Sequence, residues 1–351
     1  MNNKNLKIKR VLLWGIGFIT LLMLLAGVSF LILSKMGKIQ LKKTLTKSAP
    51  VLDNTETEEG WEEGWVRYNG EPYTFNNDVL TFLVMGIDNE KEVSKSKDET
   101  SGGQSDALFL VVVNPDEKIV DVVAMNRNMM AQVDVYDKDG TYLGQHLKQI
   151  TLQHGYGDGM QKSCERTVTA LSRHLYNLPI NGYVSINMGA IRDLNAAVGG
   201  VTVTVLEDVW YKSNGVKYKL NAGEEVKLNG DQAYAYVGKR DYRQFDSASG
   251  RVERQKQYIN EFVKLAKDRL KGNITFALDV YNTIQRYMVT DIDISEFTYL
   301  VKEILGYSFD ISNLYTLPGE TVMGEEFEEF YVDDEAVQEL IMELFYEPVN
   351  K

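Results

Sequence analysis

The chain has 351 residues, 44% hydrophobic and 11% aromatic, which excludes disorder along its whole length and leaves room for one large globular domain with an appendage. Its formal charge is −12, but residues 1–47 hold nine Lys or Arg and no acid, so the rest sets 29 basic against 50 acidic side chains, a charge of −21. Such a surface repels nucleic acid and anionic membrane over most of its extent, so no nucleic-acid partner is expected and a phosphate ligand needs a local basic cluster.

In chain order, residues 1–10 form a short basic N-terminus expected in the cytoplasm. The run "VLLWGIGFITLLMLLAGVSFLIL", residues 11–33, has no charge over 23 residues and as a helix would reach roughly 35 Å, enough to span a bilayer. No small-x-small cleavage sequence follows, so it reads as an uncleaved transmembrane anchor. Lysines flank it on both sides, so charge alone does not orient it; the short N-terminus before a large domain favours an extracytoplasmic domain. Residues 34–77, with "DNTETEEGWEEGW", read as a polar acidic stalk whose Trp61 and Trp65 either dock on the domain or face solvent.

From residue 78 the pattern changes. "VLTFLVMGI", "ALFLVVV" and "KIVDVVAM" are short apolar runs rich in Val, Leu and Phe, bounded by Gly, Asn, Pro or Asp, as buried strands require. Helical periods alternate with them: "SCERTVTALSRHLYNLP", then "GRVERQKQYINEFVKLAKDRLKG", then "DDEAVQELIMELFY". Gly199 and Gly200 read as the turn between a helix and a strand. The alternation predicts an α/β fold, a three-layer α/β/α arrangement around a mixed central sheet, with the main domain over residues 78–272 and a C-terminal α/β extension over 273–351.

The single Cys164 excludes an internal disulfide framework, and its spacing from His146, His154 and His174 suggests neither a zinc site nor a Cys-His nucleophile pair. "HGYGDG" lacks the lysine of a nucleotide-phosphate loop and reads as a loop near a pocket. Against the acidic background, "GKRDYRQFDSASGRVERQ" gathers Lys239, Arg240, Arg243, Arg251 and Arg254, the chemistry a clustered anion needs: arginine stays protonated and its planar fork pairs phosphate oxygens. Carboxylates beside such arginines would repel the anion unless they held an oxygen-liganded cation.

Four blocks in order, "LVMGIDNE", "QSDALFLVVVNPDEKIVDVVAMNRN", "YVSINMGAIRDLNAAVGGVTVTV" and "LNGDQAYAYVGKRDYRQFDSASGRVERQ", resemble the LytR-CpsA-Psr family of bacterial envelope proteins. The resemblance implies an extracytoplasmic domain with an apolar pocket for a polyprenyl chain and a charged mouth for its pyrophosphate. It also implies transfer of a phosphate-linked glycopolymer to peptidoglycan with magnesium assisting, in a single-pass protein of a Gram-positive-type cell membrane. By position, Asp88 and Asp106 match the family's metal-associated acids, with Asp106 also the candidate base, and Arg127 matches the arginine at the reacting pyrophosphate. Arg240 and Arg251 match further phosphate-binding arginines; Arg254 and Gln255 match the Arg-Gln step that opens the following helix; Lys239 and Arg243 are candidate auxiliaries. Gln104, Asn128 and Gly238 stand where the family carries Arg, Asp and Arg, and Gln149, beside Lys148, where it often carries Lys. These departures keep open a catalytically weak or inactive protein that binds polyprenyl phosphates in a regulatory or scaffolding role.

Overall fold

A computed structural model of the chain describes residues 34–41, 48–241, 243–273 and 275–349. Six strands form the central sheet in the spatial order Met288–Thr290, Gly182–Asn187, Leu80–Ile87, Ser105–Asn114, Ile119–Met125 and Leu314–Thr316. Its middle is an antiparallel meander, while Gly182–Asn187 and Leu314–Thr316 join in parallel, so the sheet is mixed as the alternation of elements predicts.

Period-two alternation sends each strand's side chains to opposite faces. Leu83, Met85, Leu108, Leu110, Val123 and Met125 join the largest core, beneath helices Gln161–His174 and Asp334–Phe345. The opposite face packs Phe109, Val122 and Ala124 against Val252 of the long helix Ser247–Gly272, and Leu80, Phe82 and Val120 against Leu300 of helix Ile294–Ile304. Helices thus flank both faces. A separate core of Val201, Val203, Val209, Leu228 and Tyr236 seats helix Gly230–Gly238, whose capping box (Asn229 with Gln232) sets where it starts. Gly199 and Gly200 have φ of +85° and +94°, values that suit a glycine turn.

The region read as a stalk carries structure. Residues 34–41 are helical with Leu41 buried, and a hairpin pairs Trp65–Tyr68 with Glu71–Phe75, the latter also pairing with Tyr346–Pro348. Asn69 and Gly70 have φ of 51° and 83°, as a type I′ turn needs, and Val66 and Phe75 reach the main core. Trp61 and Trp65 meet edge to face, half-buried. The span expected at residues 11–33 lies outside the described residues; among those described, no helix is long and apolar enough to cross a membrane.

Residues beyond Gly272 supply both edge strands of the sheet and two of its covering helices. Val289, Leu300, Leu314, Val337, Ile341, Met342 and Phe345 are all buried there. At about 1.5–3 kcal/mol each, their burial matches or exceeds a typical net stability of about 5–15 kcal/mol. A chain ended at Gly272 is therefore expected to lose its cooperative thermal transition, measured by circular dichroism against the full chain; a retained transition would show the first part to be self-sufficient.

Candidate active site

The site lies where the central strands end. Beyond Leu80–Ile87, Asp88 is pinned to the start of the next strand: its N–H donates to the Gln104 carbonyl (3.0 Å), and its Oδ1 accepts the Gln104 N–H (2.8 Å). Gly103, with φ of +83°, makes this turn; a Cβ there would lie 2.9 Å from Ile87 Cγ2. The pairing then skips a residue, Ile87 facing Ser105 and Gly86 facing Ala107, so Asp106 is the extra residue of a β-bulge. Unbroken alternation would send Asp106 to the face of Leu108 and Leu110; the bulge instead lets it meet the long helix on the other side.

Two arginines converge on it. Arg127 follows strand Ile119–Met125 in a tight turn, in which Asn126 Oδ1 accepts the Asn128 N–H (2.9 Å) and the Asn126 carbonyl accepts that of Met129 (3.0 Å). Its Nη1 lies 2.6 Å from Asp106 Oδ1, and its Nη2 donates to Gln104 Oε1. From the long helix, Arg251 Nη1 donates to Asp106 Oδ2 (2.9 Å) and Nη2 to the Asp106 carbonyl (3.0 Å). The side chains are only 12% exposed for Asp106, 10% for Arg127 and 2% for Arg251. Burial pushes the Arg127 guanidinium below its ordinary value; Asp106 holds it up, and Arg251 and Arg240 push it further down. Asp88 is pushed up, first by burial and then by the charge of Asp106, against the Gln104 N–H and Arg127.

Arg240 reaches the same cluster from the loop after helix Gly230–Gly238, and its partner is one that sequence reading missed. Glu328, on the strand Glu328–Val332 of a C-terminal hairpin, places Oε2 3.9 Å from Arg240 Nη1 and 3.4 Å from Asn128 Nδ2, while its Oε1 accepts the Asp246 N–H (2.9 Å). The Gln149 amide donates to the Glu328 carbonyl (2.7 Å). Only pairing across the fold, the Phe330 N–H donating to the Asn128 carbonyl (3.0 Å), brings this hairpin to the site. No short-range sequence signal announces it.

Other expected residues sit elsewhere. The long helix starts at Ser247, so Arg254 and Gln255 lie in its third turn and do not open it. Arg254, 1% exposed, donates to Glu207 (2.8 Å) and to the carbonyls of Tyr236 and Lys239, and Gln255 donates to the Val237 carbonyl (2.9 Å). Both tie the long helix to the end of helix Gly230–Gly238, the segment that leads to Arg240, and their hydrogen bonds go to protein groups in place of the phosphate expected. Arg243, 86% exposed, forks onto Asp241 (2.8 and 2.7 Å), whose carboxyl it pulls down to about 2. Lys239 lies over the Tyr234 ring. At Gly238 a Cβ would lie 2.5 Å from Met188 Cε, so Met188 fills the space where an arginine stem would begin.

His154 and Cys164 do touch, Nε2 to Sγ at 3.8 Å, although their spacing did not suggest a pair. Both are buried, and burial pushes the thiol up to about 12, away from the thiolate form. The His154 Nδ1 meets the Gly103 carbonyl (3.2 Å), buttressing the loop that ends at Gln104.

Next along the chain from Asp106, an apolar cavity of about 250 Å³ opens between the sheet and the long helix, lined by Val84, Ala107, Phe109, Met188, Val237 and Ile259 among others, with Gln255 and Tyr258 also in its wall. A polar cleft of about 800 Å³, with Lys239, Arg240, Tyr234 and Trp210 in its walls, is continuous with the Arg240 loop. Among the described residues no three or more His, Cys, Asp or Glu gather to hold a metal. Asp106 Oδ1 is buried 2.6 Å from Arg127 Nη1 but makes no hydrogen bond, and the charge of Asp106 reaches Asp88. Two carboxylates fit a magnesium ion that completes its shell with water and phosphate oxygens, and do not fit a cation caged by protein alone.

The LytR_cpsA_psr family model matches residues 37–345. The chain is 29% identical over 259 residues to Biofilm regulatory protein A of Streptococcus mutans, covering 72% of this chain and 59% of that protein. It is 27% identical over 221 residues to the polyisoprenyl-teichoic acid–peptidoglycan teichoic acid transferase TagU of Enterococcus faecalis, covering 63% and 64%. The chain thus spans less than two thirds of both relatives. Among solved structures, that of B. subtilis TagV superposes with a TM-score of 0.57 at 25% identity, over 76% of this chain and 96% of that one.

Asp106→Asn strips two buried guanidiniums of their counter-charge, so urea unfolding should show a loss of roughly 3–5 kcal/mol; a loss under about 1 kcal/mol would mean that the pairs are solvated. Burial pushes the His154 imidazole below its ordinary value, against the Gly103 carbonyl. The unfolded chain then takes up a proton that the folded chain resists, so stability is full above a pH of about 6.5 and declines below it by up to about 1.4 kcal/mol per pH unit. Urea midpoints between pH 7.5 and 5.5 should accordingly fall less in His154→Gln than in the wild type.

Proposed function

The chain belongs to the LytR-CpsA-Psr family, and on that premise we propose that it transfers a phosphate-linked glycopolymer, such as teichoic acid or capsule, from a polyprenyl-pyrophosphate carrier to peptidoglycan. It would work outside the membrane, held there by a span at residues 11–33. The observation that supports this reading is the meeting of three arginines with an apolar cavity: Ala107 of the cavity wall follows Asp106, and Gln255 lies one helical turn beyond Arg251. A polyprenyl pyrophosphate has the same layout, an apolar chain ending in clustered charge.

In this reading Arg127, Arg240 and Arg251 grip the pyrophosphate and are already oriented before it arrives, so stabilising the transition-state charge costs little reorganisation. An acceptor sugar hydroxyl attacks the phosphorus that bears the glycan. Its oxygen–phosphorus bond forms and the anhydride bond breaks. Polyprenyl phosphate leaves with the electron pair, and the proton of the attacking hydroxyl passes to an oxygen of that departing phosphate. Asp106, with each oxygen facing a guanidinium, orients the two arginines and is poorly placed as the base. A magnesium ion held by Asp88 and Asp106 would supply further neutralisation of the phosphate oxygens.

A second reading, lipid-phosphate binding without transfer, is favoured by one contact: Gln104 Oε1 engages Arg127 Nη2 where the family has another arginine. Incubating the full chain in detergent with a glycan-loaded polyprenyl pyrophosphate, magnesium and peptidoglycan fragments separates the two. Bound lipid together with released polyprenyl phosphate supports transfer; binding alone supports the second reading; neither sinks both. Arg127→Ala should lower turnover by roughly 10²–10³-fold, whereas Arg243→Ala should leave it near the wild-type value.

A further inference from the structure

Glu328 lies 201 positions beyond Arg127 and outside every block that carries the family resemblance, yet its carboxylate is among the best-anchored groups at the site. Its backbone is fixed by the Gln149 amide on its carbonyl and by the Phe330 N–H on the Asn128 carbonyl. Its side chain, 14% exposed, touches three parts of the site at once. Oε1 accepts the N–H of Asp246, the residue just before the long helix bearing Arg251; Oε2 meets Asn128 Nδ2, next to Arg127, and faces Arg240 Nη1 at 3.9 Å. Asp246 itself has φ of 58°, an uncommon value for a residue other than glycine, and is held by Ser249 Oγ (2.6 Å) and Thr321 Oγ1 (2.5 Å) of the same hairpin.

We propose that Glu328 is a positioning residue: it aims Arg240 at the pyrophosphate and keeps that guanidinium compensated until the ligand arrives, so that the C-terminal hairpin completes the arginine site. The inference rests on the pyrophosphate reading given above. The long Arg240–Glu328 separation suits such a role, because a contact at 3.9 Å is surrendered to a phosphate oxygen more readily than a bidentate pair. It also accounts for Asn128. An acid at that position would stand about 3.4 Å from Glu328 Oε2, so the two positions hold one carboxylate between them and an amide donor fills the other.

The test moves the carboxylate. Four full-length proteins in detergent, wild type, Glu328→Gln, Asn128→Asp and the double variant, are titrated by calorimetry with farnesyl pyrophosphate and magnesium, with thermal midpoints recorded alongside. Each single variant should bind about tenfold more weakly, one by losing the charge and one by doubling it, and the double variant should recover to within about threefold of wild type. A purely structural role predicts losses that add, with no recovery. If Glu328→Gln melts below the assay temperature, Asn128→Asp against the double variant decides: tighter binding by the double supports the proposal, and equal or weaker binding overturns it. A wild type that binds no farnesyl pyrophosphate overturns the functional reading and this inference together, whereas a binding wild type whose single variants match it overturns the inference alone.

Discussion

One carboxylate organises this molecule's charged end. Asp106 is shared by Arg127 and Arg251, from a turn at one edge of the meander and from the helix that covers the sheet, and all three side chains are almost wholly buried. Like charges brought so close in a poorly solvated place repel strongly, and removing either partner leaves an uncompensated buried ion. The acid at the bulge is therefore what lets two guanidiniums occupy one mouth. The bulge, the glycine turn at Gly103 and the His154 buttress all fix the backbone around that acid.

The same constraint explains why so much distant chain serves the site. Arg251 is useful only if the long helix holds its register, and that helix is tied by Arg254 and Gln255 to the carbonyls at the end of helix Gly230–Gly238. That end in turn launches Arg240. Arg254 and Gln255 thus act as struts between the helix that bears Arg251 and the segment that bears Arg240. The hairpin from residues 319–332 closes the arrangement from outside, pairing with the Arg127 turn and bonding to the start of the long helix.

How legible this was from the sequence depended on the range of the interactions. Strands Leu80–Ile87, Ser105–Asn114 and Ile119–Met125 were readable because a strand buried on both faces has to be a continuous apolar run. Asp88, Asp106, Arg127 and Arg251 were readable through the ordered blocks, and the structure brings all four together. The hairpin at residues 65–75 was obscured by its acidic surroundings, although Asn69-Gly70 between alternating residues is a turn signal. Arg254 was matched to the phosphate through the family's Arg-Gln step at a helix start; the helix in fact begins at Ser247, and its third turn carries Arg254 toward Glu207 and the carbonyls of Tyr236 and Lys239. Nothing local could have announced Glu328, whose role exists only through contacts spanning about 80 to 200 positions.

The charges at the mouth carry one last step. Arg127, Arg240 and Arg251 face Asp88, Asp106 and Glu328, three positive against three negative, so the protein alone is close to balanced there. A pyrophosphate diester brings two negative charges and a magnesium ion two positive ones. On the proposed reading, either arriving alone would unbalance a site with little solvent to screen it, whereas the pair would leave it neutral. Lipid and metal would then each strengthen the other's binding by the same factor, as linkage requires. The departures from the family pattern fit this balance: a second arginine at position 104 or 238 would add positive charge, and an acid at 128 would stand against Glu328. This chain carries fewer charges of each sign at its mouth, and it keeps them matched.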